Sequence, residues 1–249
     1  MHVLIPIYPG LNTLDLNGPL EILGNIALPD PKPFTITIAS ATPLTRAFES
    51  VTIARDVDLD EAVKLVEAGQ VEVLLVPGAP TAAVNEVLKS AGQGLLSLIT
   101  VFLNGAPAGK KRWLISICTG ALLIASVGAF DGLVATTHWA ALQTLTDICK
   151  DRDKTATTKV IRKRWVDAGY GHPNVRVLSS GGISCGLDCM LYFVQETLGT
   201  QQAVDIASMM DYKWNEGIYE GFRPTFAENE DRKSGAMQLA ATGWLTRQY

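Results

Sequence analysis

Trp113-Leu114-Ile115-Ser116-Ile117-Cys118-Thr119-Gly120-Ala121-Leu122-Leu123 is the stretch that decides how this chain is read. An apolar run passes directly into a helix-forming run, and a cysteine stands at the joint. A run this apolar suits a strand buried on both faces, as in a parallel sheet covered by helices. Ligands of open α/β sheets bind outside the carboxyl ends of the strands, which is where this reading puts Cys118. Unpaired backbone N–H groups at a helix start carry partial positive charge and would lower the thiol pKa toward the nucleophilic thiolate. Thr119 and Gly120 leave the backbone accessible, and Thr119 adds a hydroxyl. This is a nucleophile elbow with cysteine in place of serine. The plainer reading is a small hydrophobe closing a buried strand.

Similar runs, rich in Val, Ile and Leu and bounded by Gly, Pro or Asp, lie on either side: His2–Tyr8, Phe34–Ser40, Val71–Val76 and Val175–Leu178. Helical patterns alternate with them at Pro19–Ile26, Leu59–Ala68, Ala82–Leu103, Thr119–Val127, Trp139–Asp147, Ser184–Leu198 and Gln201–Met210. That alternation predicts a doubly wound α/β domain over residues 1–210. Residues 41–56 read as a small antiparallel hairpin, 104–112 as a surface loop, and the charged stretch 150–164 as a solvated loop or ribbon. Residues 211–249, with Tyr212, Trp214, Tyr219, Phe222 and Trp244, read as a segment packed on the domain or on a second subunit.

Four further places carry candidate chemistry. Asp15, in Leu14-Asp15-Leu16-Asn17-Gly18-Pro19, is either the N-cap of a helix starting near Pro19 or a partly buried acid with a raised pKa. Glu21 reads as a solvated surface charge. Gly78 and Ala79, in Val76-Pro77-Gly78-Ala79-Pro80, could offer N–H groups to an oxyanion beside Thr119, or form an ordinary strand-exit turn. His138, in Ala135-Thr136-Thr137-His138-Trp139, could pair with a thiolate or cap the next helix. Gly182, in Ser179-Ser180-Gly181-Gly182-Ile183-Ser184-Cys185, lies in a Gly-rich turn that could wall a small pocket. No GxGxxG or GxxxxGK[ST] pattern occurs, so neither a dinucleotide nor an ATP site is supported.

The 249 residues are 47% hydrophobic and 18% charged, which excludes a disordered chain. The net charge of −4 leaves no electrostatic footprint for nucleic acid. No run of about 18 apolar residues occurs, so no membrane span is expected. The N-terminus lacks the features of a signal peptide, and four cysteines in this length form no disulfide framework, so a reducing, cytoplasmic setting is expected. Cys185 and Cys189, one helical turn apart, read as core residues. Three histidines make an imidazole metal site unlikely on composition, and no metal is expected.

Taken together, Ile117-Cys118-Thr119-Gly120, Ala135-Thr136-Thr137-His138-Trp139 and Ser179–Asp188 resemble, in order, the signatures of the ThiJ/PfpI superfamily, the class I glutamine-amidotransferase-like proteins. The resemblance covers about residues 1–200. Leu14-Asp15-Leu16-Asn17-Gly18-Pro19 is similar to the isonitrile (isocyanide) hydratase branch. The resemblance implies a flavodoxin-like three-layer α/β sandwich with a mostly parallel sheet and a cysteine nucleophile elbow. It implies a homodimer and a cofactor-independent hydro-lyase that turns an isonitrile, its small-molecule substrate, into an N-substituted formamide. Cys118, Asp15 and Thr119 become the catalytic set, with Gly78, Ala79, His138 and Gly182 around the substrate. The chain departs from the branch at Ala79, Asn17 and Cys185, where Gly, Thr and Ala are usual, and in a longer charged insert before Trp165. Two alternatives stay open: a cysteine hydrolase or glyoxalase-like enzyme on another small molecule, and a non-enzymatic thiol redox sensor.

Overall fold

Five short strands, four of them largely buried and the fifth at the sheet edge, lie parallel and bring their carboxyl ends to one edge of the molecule. The structure is a computed structural model and describes residues 1–25, 32–90, 94–105, 110–152 and 157–215. In chain order the strands are β1 (His2–Pro6), β2 (Thr35–Ala39), β3 (Leu44–Arg46), β4 (Thr52–Ala54), β5 (Val73–Val76), β6 (Arg112–Ser116), β7 (Val134–Ala135), β8 (Lys159–Val160), β9 (Trp165–His172) and β10 (Val175–Ser180). The helices are α1 (Thr13–Gly24), α2 (Leu59–Glu67), α3 (Thr81–Lys89), α4 (Leu95–Asn104), α5 (Gly120–Ser126), α6 (Leu142–Arg152), α7 (Cys185–Leu198) and α8 (Thr200–Met209).

The central sheet has the order β2-β1-β5-β6-β10-β9. All its pairings are parallel except β9 against β10. Without β9 this is the flavodoxin-like order, whose direction of winding reverses between β1 and β5 and leaves a crevice there. Side chains alternate along each strand, so the sheet feeds two cores. Leu4, Leu74 and Leu114 pack with Ala62 and Val66 of α2, Phe102 of α4, Leu122 of α5 and Leu145 of α6. Val3, Ile5, Leu75 and Ile115 pack with Ile22 of α1, Phe193 of α7 and Ile206 of α8. Helices therefore cover both faces, giving three layers. Truncating a fully buried leucine such as Leu74 or Leu114 costs on the order of 2–5 kcal/mol.

Several expectations need correction. α1 begins at Thr13, well before Pro19, because Asn12 is its N-cap and accepts from the N–H groups of Leu14 and Asp15. Asp15 is thus in the first turn and is not the cap. Pro19 lies inside the helix and withholds the N–H that would bond the Asp15 carbonyl. The single helix expected over Ala82–Leu103 is two, α3 and α4, and α6 runs on to Arg152. The edge strand β9 was not anticipated. It is held to β10 by Asp167, which pairs with Arg176 and accepts from the Tyr192 hydroxyl at 2.6 Å. The hairpin expected in residues 41–56 is present as β3 and β4. Tyr212 and Trp214 pack against the second core; Tyr219, Phe222 and Trp244 lie outside the described residues. No helix among the described residues is long and apolar enough to cross a membrane.

Candidate active site

The carboxyl ends of β1, β5, β6 and β10 converge, and each contributes one part of a single site. β6 ends at Ser116, and two residues later Cys118 takes a left-handed backbone conformation, φ 55°. For a residue with a Cβ this costs about 1–2 kcal/mol, and such strain persists only where the surroundings hold it. Here the Cys118 N–H donates to Gly181 O at 3.1 Å, and the Cys118 carbonyl accepts from Thr137 Oγ1 at 2.8 Å. α5 then packs against the end of β5, where Gly120 is obligatory: a Cβ there would lie 2.3 Å from Val76 O.

Asp15 comes from α1 and is fully buried. Its Oδ2 accepts the Gly78 N–H at 3.1 Å, while Oδ1 has no nitrogen or oxygen partner among the described residues. Burial pushes the carboxyl up to about 7, against the opposing pull of the Gly78 N–H and of the Cys118 thiol, which faces it. Cys118 is also buried. Its pKa is pushed well up, first by burial and then by the Asp15 charge, while the N–H groups of Ile183 and Thr119 and the Thr119 side chain act the other way. Burial and the Asp15 charge thus outweigh the lowering expected from the helix start, and Asp15 is the ionisable group beside the thiol.

The donors around the sulfur also differ from those expected. The Gly78 N–H is committed to Asp15. The Ala79 N–H donates to Thr119 Oγ1 at 2.9 Å, and that hydroxyl in turn donates to Ala79 O at 2.5 Å. Thr119 thus clamps the elbow to the turn after β5. The groups facing Cys118 are the N–H of Thr119, its neighbour, and the N–H of Ile183, from the turn after β10. Ile183 also has a positive φ, 37°. Nothing in its side chain marks it in the sequence; only its place in the Gly-rich turn could have pointed to it. Gly78 owes its identity to crowding, since a Cβ would lie 2.7 Å from both Asp15 Oδ2 and Thr119 N.

His138 has a capping role: its Nδ1 accepts from the Ala140 N–H at 3.2 Å, and burial lowers its pKa, favouring the neutral ring. Its ring lies over Gly182, where a Cβ would come within 2.3 Å of His138 Cδ2. Tyr8, which drew no attention in the sequence, donates its hydroxyl to Pro77 O at 3.0 Å, and burial with the Asp15 charge keeps it a neutral phenol. Glu49 of the β3–β4 connection accepts from Asn12 Nδ2 at 2.8 Å and from the Thr13 N–H at 3.0 Å, fixing the start of α1.

Cys118 lines a small cavity of about 20 Å³, together with Asn12, Phe48, Ala79, Thr119, His138 and Ile183 among others. That is room for about one water or the slim end of a small molecule. The arrangement can form a thiolate by moving the Cys118 proton to Asp15, then return that proton to a bound atom. Among the described residues no cluster of His, Cys, Asp or Glu is placed to hold a metal ion.

No protein-family model matches the chain. The isonitrile hydratase of Pseudomonas putida is 25% identical over 206 residues, 83% of this chain and 76% of that protein. A Streptomyces lividans protein described as "Uncharacterized protein in cpoL 5'region" is 29% identical over 59% of this chain and 94% of its own length. Among solved structures, a ThiJ/PfpI family protein from Pseudomonas syringae superposes with TM-score 0.68 at 18% identity, over 98% of this chain and 87% of that one. Oxidized DJ-1 from Toxoplasma gondii gives 0.62 at 15% identity, over 86% and 99%. The chain thus has the fold of the ThiJ/PfpI and DJ-1 proteins, and its sequence is similar to that of an isonitrile hydratase over most of its length.

Proposed function

We propose that the protein hydrates an isonitrile to an N-substituted formamide by covalent catalysis at Cys118. The observation that carries this reading is the contact of a buried carboxyl, Asp15, with a buried thiol that lines a small, narrow cavity. An isonitrile carries a linear, unsubstituted terminal carbon, which fits such a slot, and that carbon needs both a nucleophile and a proton. The 25% identity to the Pseudomonas putida isonitrile hydratase supports the choice of substrate.

In the first half-reaction Asp15 takes the thiol proton and Cys118 sulfur bonds to the terminal carbon. Asp15 returns the proton to the same carbon, giving a thioimidate, R–N=CH–S–Cys118. In the second half-reaction Asp15 takes a proton from water, the water oxygen bonds to that carbon, and Asp15 passes that proton to the nitrogen. The carbon–sulfur bond then breaks as the new hydroxyl loses its proton, through Asp15, to the departing Cys118 sulfur. The sum is R–NC plus water giving R–NH–CHO, with the enzyme unchanged. The Ile183 and Thr119 N–H groups stabilise the thiolate when it forms and departs.

A redox-sensor role fits the site less well. Selective oxidation follows thiolate character and exposure, and Cys118 is 6% exposed with its pKa raised. The test is incubation of purified protein with a simple alkyl isonitrile, following the formamide by infrared or mass spectrometry. Formamide from the wild type and not from Cys118→Ser supports the reading. No formamide from the wild type, with a 2-oxoaldehyde or a thioester consumed instead, moves the chemistry to another substrate of the same site.

A further inference from the structure

The charged stretch before β9 plays no part in the chemistry above, yet it does not simply face solvent. A second cavity, of about 450 Å³, opens beside the cysteine slot and is lined by Trp139, Arg162, Lys163, Arg164, Ser184 and Cys185, among others. His138 and Ile183 line both cavities, so the two share a wall. No Asp or Glu lines the larger one. Arg164 is already paired with buried Asp188, which anchors this side of the cavity to α7. Lys163 is exposed and has no acidic partner among the described residues. Its backbone is held in place, because its carbonyl accepts from Thr136 Oγ1 at 3.3 Å.

This local charge runs against that of the whole chain. A protein of net charge −4 repels small anions over most of its surface. A concave site lined by cations then concentrates them in one place. The two cavities also differ in size as a reactive end and its substituent would. The slot beside Cys118 admits only a slim group; the rest of a substrate needs a neighbouring space, and the larger cavity is next to it.

We infer that the substrate carries an anionic group, a carboxylate being the simplest, a few atoms from its reacting carbon, and that this group sits in the cavity lined by Arg162, Lys163 and Arg164. The inference rests on the reading of Cys118 as the reacting centre. The Arg164 guanidinium is held by Asp188 and contributes charge to the wall, and the exposed Lys163 ammonium is the mobile point charge that meets the carboxylate. Trp139, tilted against His138 with ring centroids 5.5 Å apart, supplies an apolar wall for the tether.

The experiment compares an isocyanoalkyl carboxylate with its methyl ester, in wild type, Lys163→Gln and Lys163→Glu. The expected result is a kcat/KM for the carboxylate roughly tenfold or more above that of the ester, a ratio that falls with added salt. In Lys163→Glu the ratio drops by roughly tenfold or more, and Lys163→Gln falls between. A ratio near one in the wild type, or a ratio unchanged in Lys163→Glu, overturns the inference. Calorimetry of the corresponding formamido carboxylate and its ester with Cys118→Ala separates this inference from the reaction itself. Tighter binding of the carboxylate, with neither isonitrile turned over by the wild type, keeps the anion cavity and removes the hydratase reading. Turnover of both isonitriles without charge preference does the reverse.

Discussion

Asp15 and Cys118, from the first turn of α1 and the end of β6, meet as two buried acids of which only one can readily be charged. The Asp15 charge raises the pKa of the thiol, while the thiol lowers that of Asp15. Burial is what holds the carboxyl near 7, and burial with the Asp15 charge pushes the thiol well up. In the proposed mechanism, attack by sulfur waits on proton transfer to Asp15, and the same carboxyl then acts as the acid.

The pH dependence of the reaction follows. The proposed mechanism starts from ionised Asp15 and protonated Cys118. kcat/KM should fall about tenfold per pH unit below about 7, and Asp15→Asn should lose roughly 10²–10⁴-fold. A pH–rate profile of the wild type with no acidic limb between pH 5 and 8 would contradict this assignment.

Asp15 also reports on stability. Its carboxyl is raised from 3.8 to about 7 in the folded state, so between those pH values the folded chain binds more protons than the unfolded one. Stability from this group is present below pH 3.8 and is lost as pH rises through about 7. Each pH unit in that window is worth up to about 1.4 kcal/mol. Asp15→Asn removes the buried charge and should be more stable than wild type at pH 8, by on the order of 2 kcal/mol or ~4–8 °C in Tm. The advantage should shrink toward pH 4, and thermal unfolding at both pH values checks it.

Thr119 holds the elbow through two hydrogen bonds to Ala79. Thr119→Val keeps the shape but leaves the buried Ala79 N–H unpaired, which costs about 1–3 kcal/mol. Thr119→Ser should restore most of that loss. Denaturant midpoints of the three proteins test this, and equal midpoints would contradict the clamp.

Gly78→Ala brings a methyl group within 2.7 Å of Asp15 Oδ2 and of Thr119 N. The carboxyl must move, and a displacement near 1 Å is enough for about a 10²-fold loss of turnover. The measurement is kcat, with circular dichroism to show that the fold is kept.

How far the sequence reveals this protein depends on what kind of signal each part leaves. β1, β5 and β6 are legible because strands buried on both faces read as nearly unbroken apolar runs, while β2 and β10 show through their β-branched residues and bounding turns. β9 is not, because an edge strand written Trp165-Val166-Asp167-Ala168-Gly169-Tyr170-Gly171-His172 has two glycines and a half-exposed face. The start of α1 is masked because Pro19 marks a helix start more often than a helix interior, whereas the cap is Asn12. Cys118, Asp15 and Thr119 stand out by residue type and position. The Ile183 N–H does not, because a backbone donor has no residue letter. The occupied N–H groups of Gly78 and Ala79 follow from a turn geometry that spacing does not fix. The cavity at Arg162–Arg164 was hidden because a charge run usually faces solvent, and only folding brings it beside His138.

The most direct test of covalent catalysis is the mass of the protein quenched during turnover of an alkyl isonitrile. The account predicts an increase equal to one isonitrile, on the peptide that contains Cys118, and no such increase in Cys118→Ala. Formamide produced by Cys118→Ala at the wild-type rate would contradict it.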